Sequence, residues 1–147
     1  MSEIKATVHY GSNDFFVGIS PAGHAHVMET NGDRASAPTP IELLLTAVGA
    51  CMGSDVVDIL RKKRQVVSDY KVEITGERRE DFPRSFKSIR LHHVVTGESV
   101  SKDAVKQAIE LADSKYCSVA ATLRPTAEIA VTFEIVETAN ALQSSGA

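Results

Sequence analysis

The side chains with the most chemical potential in this sequence are its two cysteines, Cys51 and Cys117. A thiolate is both a nucleophile and a metal ligand, and a second thiol nearby can close a disulfide with an oxidised partner. Two ligands are too few for a structural zinc site, which takes four. Cys51 stands in an apolar run, where a cysteine among Leu, Ala and Val reads first as a small core hydrophobe. Against that, Gly49, Ala50, Gly53 and Ser54 leave space around its sulfur. Cys117 falls where a helical pattern loosens, just before a short helical piece. Unpaired backbone N–H groups at that junction favour a thiolate. The spacing leaves open whether the two sulfurs meet, since bridging needs Cα atoms within about 7 Å.

Other positions enter as candidates. Glu42 follows Thr39 by three and first reads as the partner in a helix capping box, with a catalytic role as the rival reading. Arg34, a loop residue, is the only arginine before Arg61, and a cation there could reach the mouth of a site at the following helix. Asp55, one helical turn after Cys51, is a poor activator, because a carboxylate raises the pKa of a neighbouring thiol. His24 and His26 share a strand face, as metal binding would require, but no third ligand accompanies them. No phosphate-binding glycine loop, Ser-His-Asp pattern or paired-carboxylate motif stands out, and no cofactor is expected.

The elements that must position these residues follow from periodicity. With 147 residues the chain fits one domain, expected over 1–137, with a polar tail at 138–147 that frays. Three short strands with turn punctuation are predicted at Ile4–Tyr10, Phe15–Ser20 and His24–Thr30. Thr39-Pro40-Ile41-Glu42 starts a long helix, expected to run to about Lys63, where basic residues complement the end of its dipole. Strands are predicted around Tyr70–Ile74 and at Phe86–Val95. A helix capped by Ser101 follows, then a short helical piece at Ser118–Leu123 and a last strand at Ile129–Ile135. The order is βββ-α-ββ-α-β, an α+β fold in which two helices cover one face of a largely antiparallel sheet. The front of the long helix is apolar nearly all round, so a homodimer is expected to cover what the sheet leaves open.

Composition bounds the partners. A net charge of −3 and 24% charged residues give no electrostatic reason to expect nucleic acid or an anionic membrane. The N-terminus lacks the basic and apolar regions of a signal peptide, and the apolar stretch Ile41–Met52 is too short to span a bilayer. A cytoplasmic location is expected, where cysteines are free thiols or a working redox pair more often than structural disulfides.

Thr-Pro-Ile-Glu-Leu-Leu-Leu-Thr-Ala-Val-Gly-Ala-Cys at 39–51, together with Tyr-Cys-Ser-Val-Ala at 116–120, resembles the OsmC/Ohr (osmotically induced, organic hydroperoxide resistance) family. The likeness continues through 55–60 and 76–80, and these stretches look like the YhfA-like branch. The resemblance implies an intertwined homodimer with its sites at the subunit interface. It also implies a thiol peroxidase in which Cys51 attacks an organic hydroperoxide and becomes a sulfenic acid, Cys117 resolves it as a disulfide, and a dithiol restores both thiols. The alternative is a dimeric binding protein for a small apolar or thiol-bearing ligand, with the cysteines lining the pocket.

Two departures from the family pattern matter. Peroxidase members place an activating arginine in the N-terminal hairpin, paired to a glutamate just after the proline. Here those strands hold no arginine, Ile41 follows Pro40, and Glu42 comes one place later, leaving Arg34 as the substitute cation. Ser118 stands where a proline commonly follows the second cysteine. Without a cation the Cys51 pKa is expected to stay near or above about 8.5.

Overall fold

The computed structural model describes residues 3–138, so the tail expected to fray lies, beyond Thr138, outside the described residues. Two compact units are present, one ending at Leu44 and the other beginning at Leu45. The first holds strands β1 (Thr7–Tyr10), β2 (Phe15–Ile19) and β3 (Ala25–Glu29), an antiparallel meander in the order β1-β2-β3. The second holds β4 (Val66–Arg78), β5 (Phe86–Glu98) and β6 (Glu128–Glu137) as a second sheet, with helices α2 (Lys102–Leu111) and α3 (Ser118–Leu123). Helix α1 (Pro40–Lys62) begins in the first unit and runs through most of its length in the second.

Each end of α1 is fixed by local chemistry. Thr39 Oγ1 accepts from the Glu42 N–H at 3.3 Å, and Glu42 Oε1 accepts from the Thr39 N–H at 3.0 Å, which is the reciprocal capping box. At the other end Arg64 takes a left-handed conformation with φ of 58°. Its N–H donates to the Arg61 carbonyl and that of Gln65 to the Leu60 carbonyl, the two bonds of a Schellman cap. Along its inner side Val48, Met52 and Val56 are fully buried. Gly49 and Gly53 let the helix lie close on β4, since an added Cβ would stand 2.6 Å from Ile74 Cδ1 and 3.0 Å from Tyr70 Cε2.

The α+β order and the largely antiparallel pairing are as read, but the strands form two three-stranded sheets rather than one, and β6 runs parallel to β5. Alternating apolar residues report which face of a strand is buried and carry nothing about its direction. The direction is set by what lies between the strands. After Glu98 the chain passes through α2 and α3 before β6, a crossover long enough to return a strand in parallel.

The apolar stretch thought too short for a bilayer belongs to a 23-residue helix whose mean hydropathy reaches 1.7 over an 18-residue window. By length and composition that helix could cross a membrane. Its packing on β4 is that of a core helix with one side left open.

Candidate active site at Cys51 and Cys117

Cys117 owes its position to an irregularity. After α2 the chain makes one π-helical turn, Ala112–Tyr116, closed by the Cys117 N–H donating to the Ala112 carbonyl at 2.9 Å. Such turns displace the residues that follow and are common at functional sites. Cys117 then becomes the N-cap of α3, with its sulfur accepting from the Ala120 N–H at 3.3 Å. The thiol takes a place usually held by Ser, Thr or Asp. Its residue is only 3% exposed.

Cys51 meets this junction from α1 and is half-buried. Its sulfur lies 3.9 Å from Ser118 Oγ. The N–H groups of Ser118 and Val119 and the Cys117 thiol lie close enough to lower its pKa. The two cysteines expected to work together are therefore brought together, and both are free thiols.

Their acidities diverge. Burial, the largest single influence on Cys51, raises its pKa, but the donors from Val119, Cys117 and Ser118 outweigh it and hold the thiol below its ordinary value. Burial pushes Cys117 up to about 11; the neighbouring Cys51 sulfur adds to the rise, while the Ala120 and Val119 N–H groups oppose it. The expectation that the junction favours a Cys117 thiolate is thus overturned. The short helical piece favours the thiolate of Cys51 rather than that of Cys117, and the donors that lower Cys51 are neutral.

Arg34 and Glu42 have their partners within the first unit. Arg34 Nε lies 3.0 Å from Glu29 Oε2, its guanidinium also donates to the Asn13 carbonyl, and it covers the Phe15 ring at 4.1 Å. Glu29 is fully buried. Burial raises its pKa, but Arg34 and the N–H groups of Ser36 and Ala37 lower it further, so it is held below the ordinary carboxylate value. Glu42 accepts from both the N–H and the hydroxyl of Thr39, which lowers its pKa as well. His26 lies in β3 and His24 just before it, and no cluster of three metal-ligating side chains occurs among the described residues.

Sequence reasoning missed the contributions of Ser118 and Val119. The Ser-Val after Cys117 carried a helix-start signal, but not the fact that its donors turn toward α1. It also missed a part-buried pair in the second unit, Tyr70 Oη and Nδ1 of the buried His93 at 2.6 Å. Burial and the neighbouring His92 lower the His93 pKa to about 4, and burial raises that of Tyr70. A groove of about 620 Å³ between α1 and β4 is lined by Gly49, Ala50, Gly53, Val57, Tyr70 and Val72 among others, and by neither cysteine.

The OsmC-like protein family model matches residues 31–132, well over half of the chain. This chain belongs to the OsmC-like family. It is 43% identical over 134 residues to Protein YhfA of Escherichia coli strain K12, covering 90% of this chain and 98% of that protein. An OsmC-family fold is equally plain in solved structures. A hypothetical protein from Aquifex aeolicus VF5 superposes with a TM-score of 0.84 at 31% identity, over 93% of this chain and 98% of that one. The organic hydroperoxide resistance protein OhrB of Bacillus subtilis superposes with a TM-score of 0.62 at 15% identity, over 90% and 98% of the two chains, a likeness of fold.

Proposed function

We propose that this OsmC-like protein is a thiol peroxidase that reduces organic hydroperoxides, with Cys51 as the attacking thiol and Cys117 as the resolving one. The observation that carries this reading is the Cys51 sulfur itself, half-buried, 3.9 Å from the Ser118 hydroxyl and with the Cys117 thiol near enough to shift its acidity. The Cys51 thiolate attacks the terminal oxygen of ROOH. The S–O bond forms, the O–O bond breaks, and the departing alkoxide takes a proton to leave as ROH. The Cys117 sulfur then attacks Cys51–S–OH. The S–S bond forms, and hydroxide leaves and takes the Cys117 proton as water. A dithiol reduces the disulfide by two exchanges and is itself oxidised to a disulfide.

The opposed acidities support this order of events. At neutral pH Cys117 holds its proton while Cys51 is the readier thiolate. Once Cys51 is a neutral sulfenic acid, the charge that helped to raise Cys117 is gone. In this reading Glu42 caps α1 and Arg34 holds Glu29, so both position structure rather than touch the peroxide.

The 134-residue match to Protein YhfA of Escherichia coli covers 90% of this chain and so takes in both compact units, which supports reading them as one domain. A homodimer in the cytoplasm completes the proposal, its free thiols suiting a reducing compartment. The open apolar groove beside α1 is the surface a second subunit would cover. The second reading is a dimeric binding protein for a small apolar or thiol-bearing ligand; the apolar groove favours it, although this reading expected the cysteines to line the pocket and neither lines that groove.

Consumption of cumene hydroperoxide with a dithiol reductant separates the two readings. Wild type is expected to turn over, Cys117→Ser to oxidise once and stall, and Cys51→Ser to lose at least about a thousandfold in rate. Equal consumption by Cys51→Ser and wild type would exclude the peroxidase reading. A monomeric mass at micromolar concentration would exclude the dimer.

A further inference from the structure

Ser118 combines two features that bear on one another: it hydrogen-bonds to Cys51, and a proline in its place would remove the means to do so. Its hydroxyl oxygen stands 3.9 Å from the Cys51 sulfur, close enough for either atom to donate, and its backbone N–H is among the groups that lower the Cys51 pKa. Proline has neither a hydroxyl nor a backbone N–H. We propose that Ser118 is the positioning residue for Cys51, its hydroxyl and its N–H orienting the sulfur and holding its charge where a proline leaves both places empty. This rests on reading Cys51 as the nucleophile and deepens that reading.

The neighbouring geometry makes the two donors separable from the fold. Cys117 is the N-cap of α3, so Ser118 occupies the first helical position, where proline is well tolerated. Cys117 itself has φ of −71° and ψ of 103°, an extended conformation that suits a residue preceding proline. Ser118→Pro therefore fits the backbone and deletes both donors at once. Ser118→Ala deletes the hydroxyl and keeps the N–H. Ser118→Thr keeps both. The remaining backbone donor, the Val119 N–H, is common to all four proteins.

Ser118 also explains how a nucleophilic thiol is held without a cation. Hydrogen bonds to a charged acceptor are stronger than neutral ones, and several together shift a thiol pKa as a nearby positive charge does. Neutral donors differ from a cation in leaving the thiolate its net charge.

The test is the pH dependence of Cys51 alkylation by iodoacetamide, followed by mass spectrometry in a Cys117→Ser background. That background removes the neighbouring titratable thiol that acts on Cys51 and leaves Asp55, one turn further along α1, in every variant. The alkylation midpoint is expected to rise in Ser118→Ala, which loses the hydroxyl, and to rise further in Ser118→Pro. At neutral pH the thiolate fraction is expected to fall several-fold in the first and roughly tenfold or more in the second. Ser118→Thr should keep the midpoint of the Ser118 protein. Midpoints for Ser118→Ala and Ser118→Pro equal to that of the Ser118 protein would overturn the proposal, as would a midpoint raised equally in Ser118→Thr. Circular dichroism of each variant separates loss of fold from loss of donors, and Ser118→Ala decides the matter if Ser118→Pro does not fold. Alkylation needs no peroxide, so absent peroxidase activity with shifted midpoints would sink the peroxidase reading and leave this one standing.

Discussion

Two acidic groups in this protein have their pKa lowered by different means. In the first unit the fully buried Glu29 carboxylate is held by the Arg34 guanidinium and the N–H groups of Ser36 and Ala37. In the second unit the half-buried Cys51 sulfur is held by neutral donors from Ser118, Val119 and Cys117. A carboxylate paired to a cation inside the protein is satisfied and chemically quiet, and breaking the pair strands a charge. A thiolate held by dipoles keeps its net charge and, with one side open, its nucleophilicity. The arrangement with a full counter-charge thus reads as architecture, and the one without it as chemistry.

Removing the cation is the harshest way to probe this contrast. Arg34→Met leaves the Glu29 carboxylate buried without its partner and is expected to lower Tm by roughly 10 °C, read by differential scanning calorimetry. The same variant should leave the Cys51 alkylation midpoint where it was. A midpoint that rose with it would place Arg34 in thiol activation and dissolve the distinction between the two sites. The Glu29 contribution also has a definite pH window. Its folded pKa is depressed, so the stabilisation is complete above the ordinary carboxylate value and is lost as pH falls through the lower folded one. Glu29→Gln should remove that acid-side loss.

A second titrating group must be kept apart from Glu29. His93 is buried and its folded pKa is depressed from 6.5 to about 4. The unfolded chain therefore binds more protons between those values, and stability falls as pH drops through that interval. Going from about pH 7 to about pH 5 is expected to cost about 2 kcal/mol by urea denaturation. His93→Gln, which cannot titrate, should flatten that interval while the loss due to Glu29 remains below it. An unchanged slope would mean that His93 is not the group responsible.

The smallest expected effect concerns Glu42. If it serves the helix cap, Thr39→Ala should cost about 1 kcal/mol and leave the Cys51 alkylation midpoint unchanged. A shifted midpoint would tie the cap to the thiol and weaken the separation of roles.

Much of this was legible in the sequence, and the failures share a cause. The capping box at Thr39 and Glu42, the span of α1 and the Ser101 cap are local signals, and each is found where it was read. The pairing of Cys51 with Cys117 was visible only through family resemblance, since residues so far apart in sequence carry no spacing rule. The parallel course of β6 depends on a crossover, and alternation is blind to it. The acidity of Cys117 was misread because burial outweighs the N–H groups at the start of α3, which also act on a sulfur on another helix. Periodicity locates elements; it does not say which side chain a free N–H meets.

The central claim is that Cys51, rather than Cys117, receives the peroxide oxygen. It is tested most directly by adding one equivalent of cumene hydroperoxide to the reduced protein and mapping the products by mass spectrometry with a sulfenic-acid trap. The account predicts a trapped sulfenic acid on Cys51 in Cys117→Ser and a Cys51–Cys117 disulfide in wild type. A sulfenic acid on Cys117, or a Cys51 that stays reduced in both proteins, would contradict it.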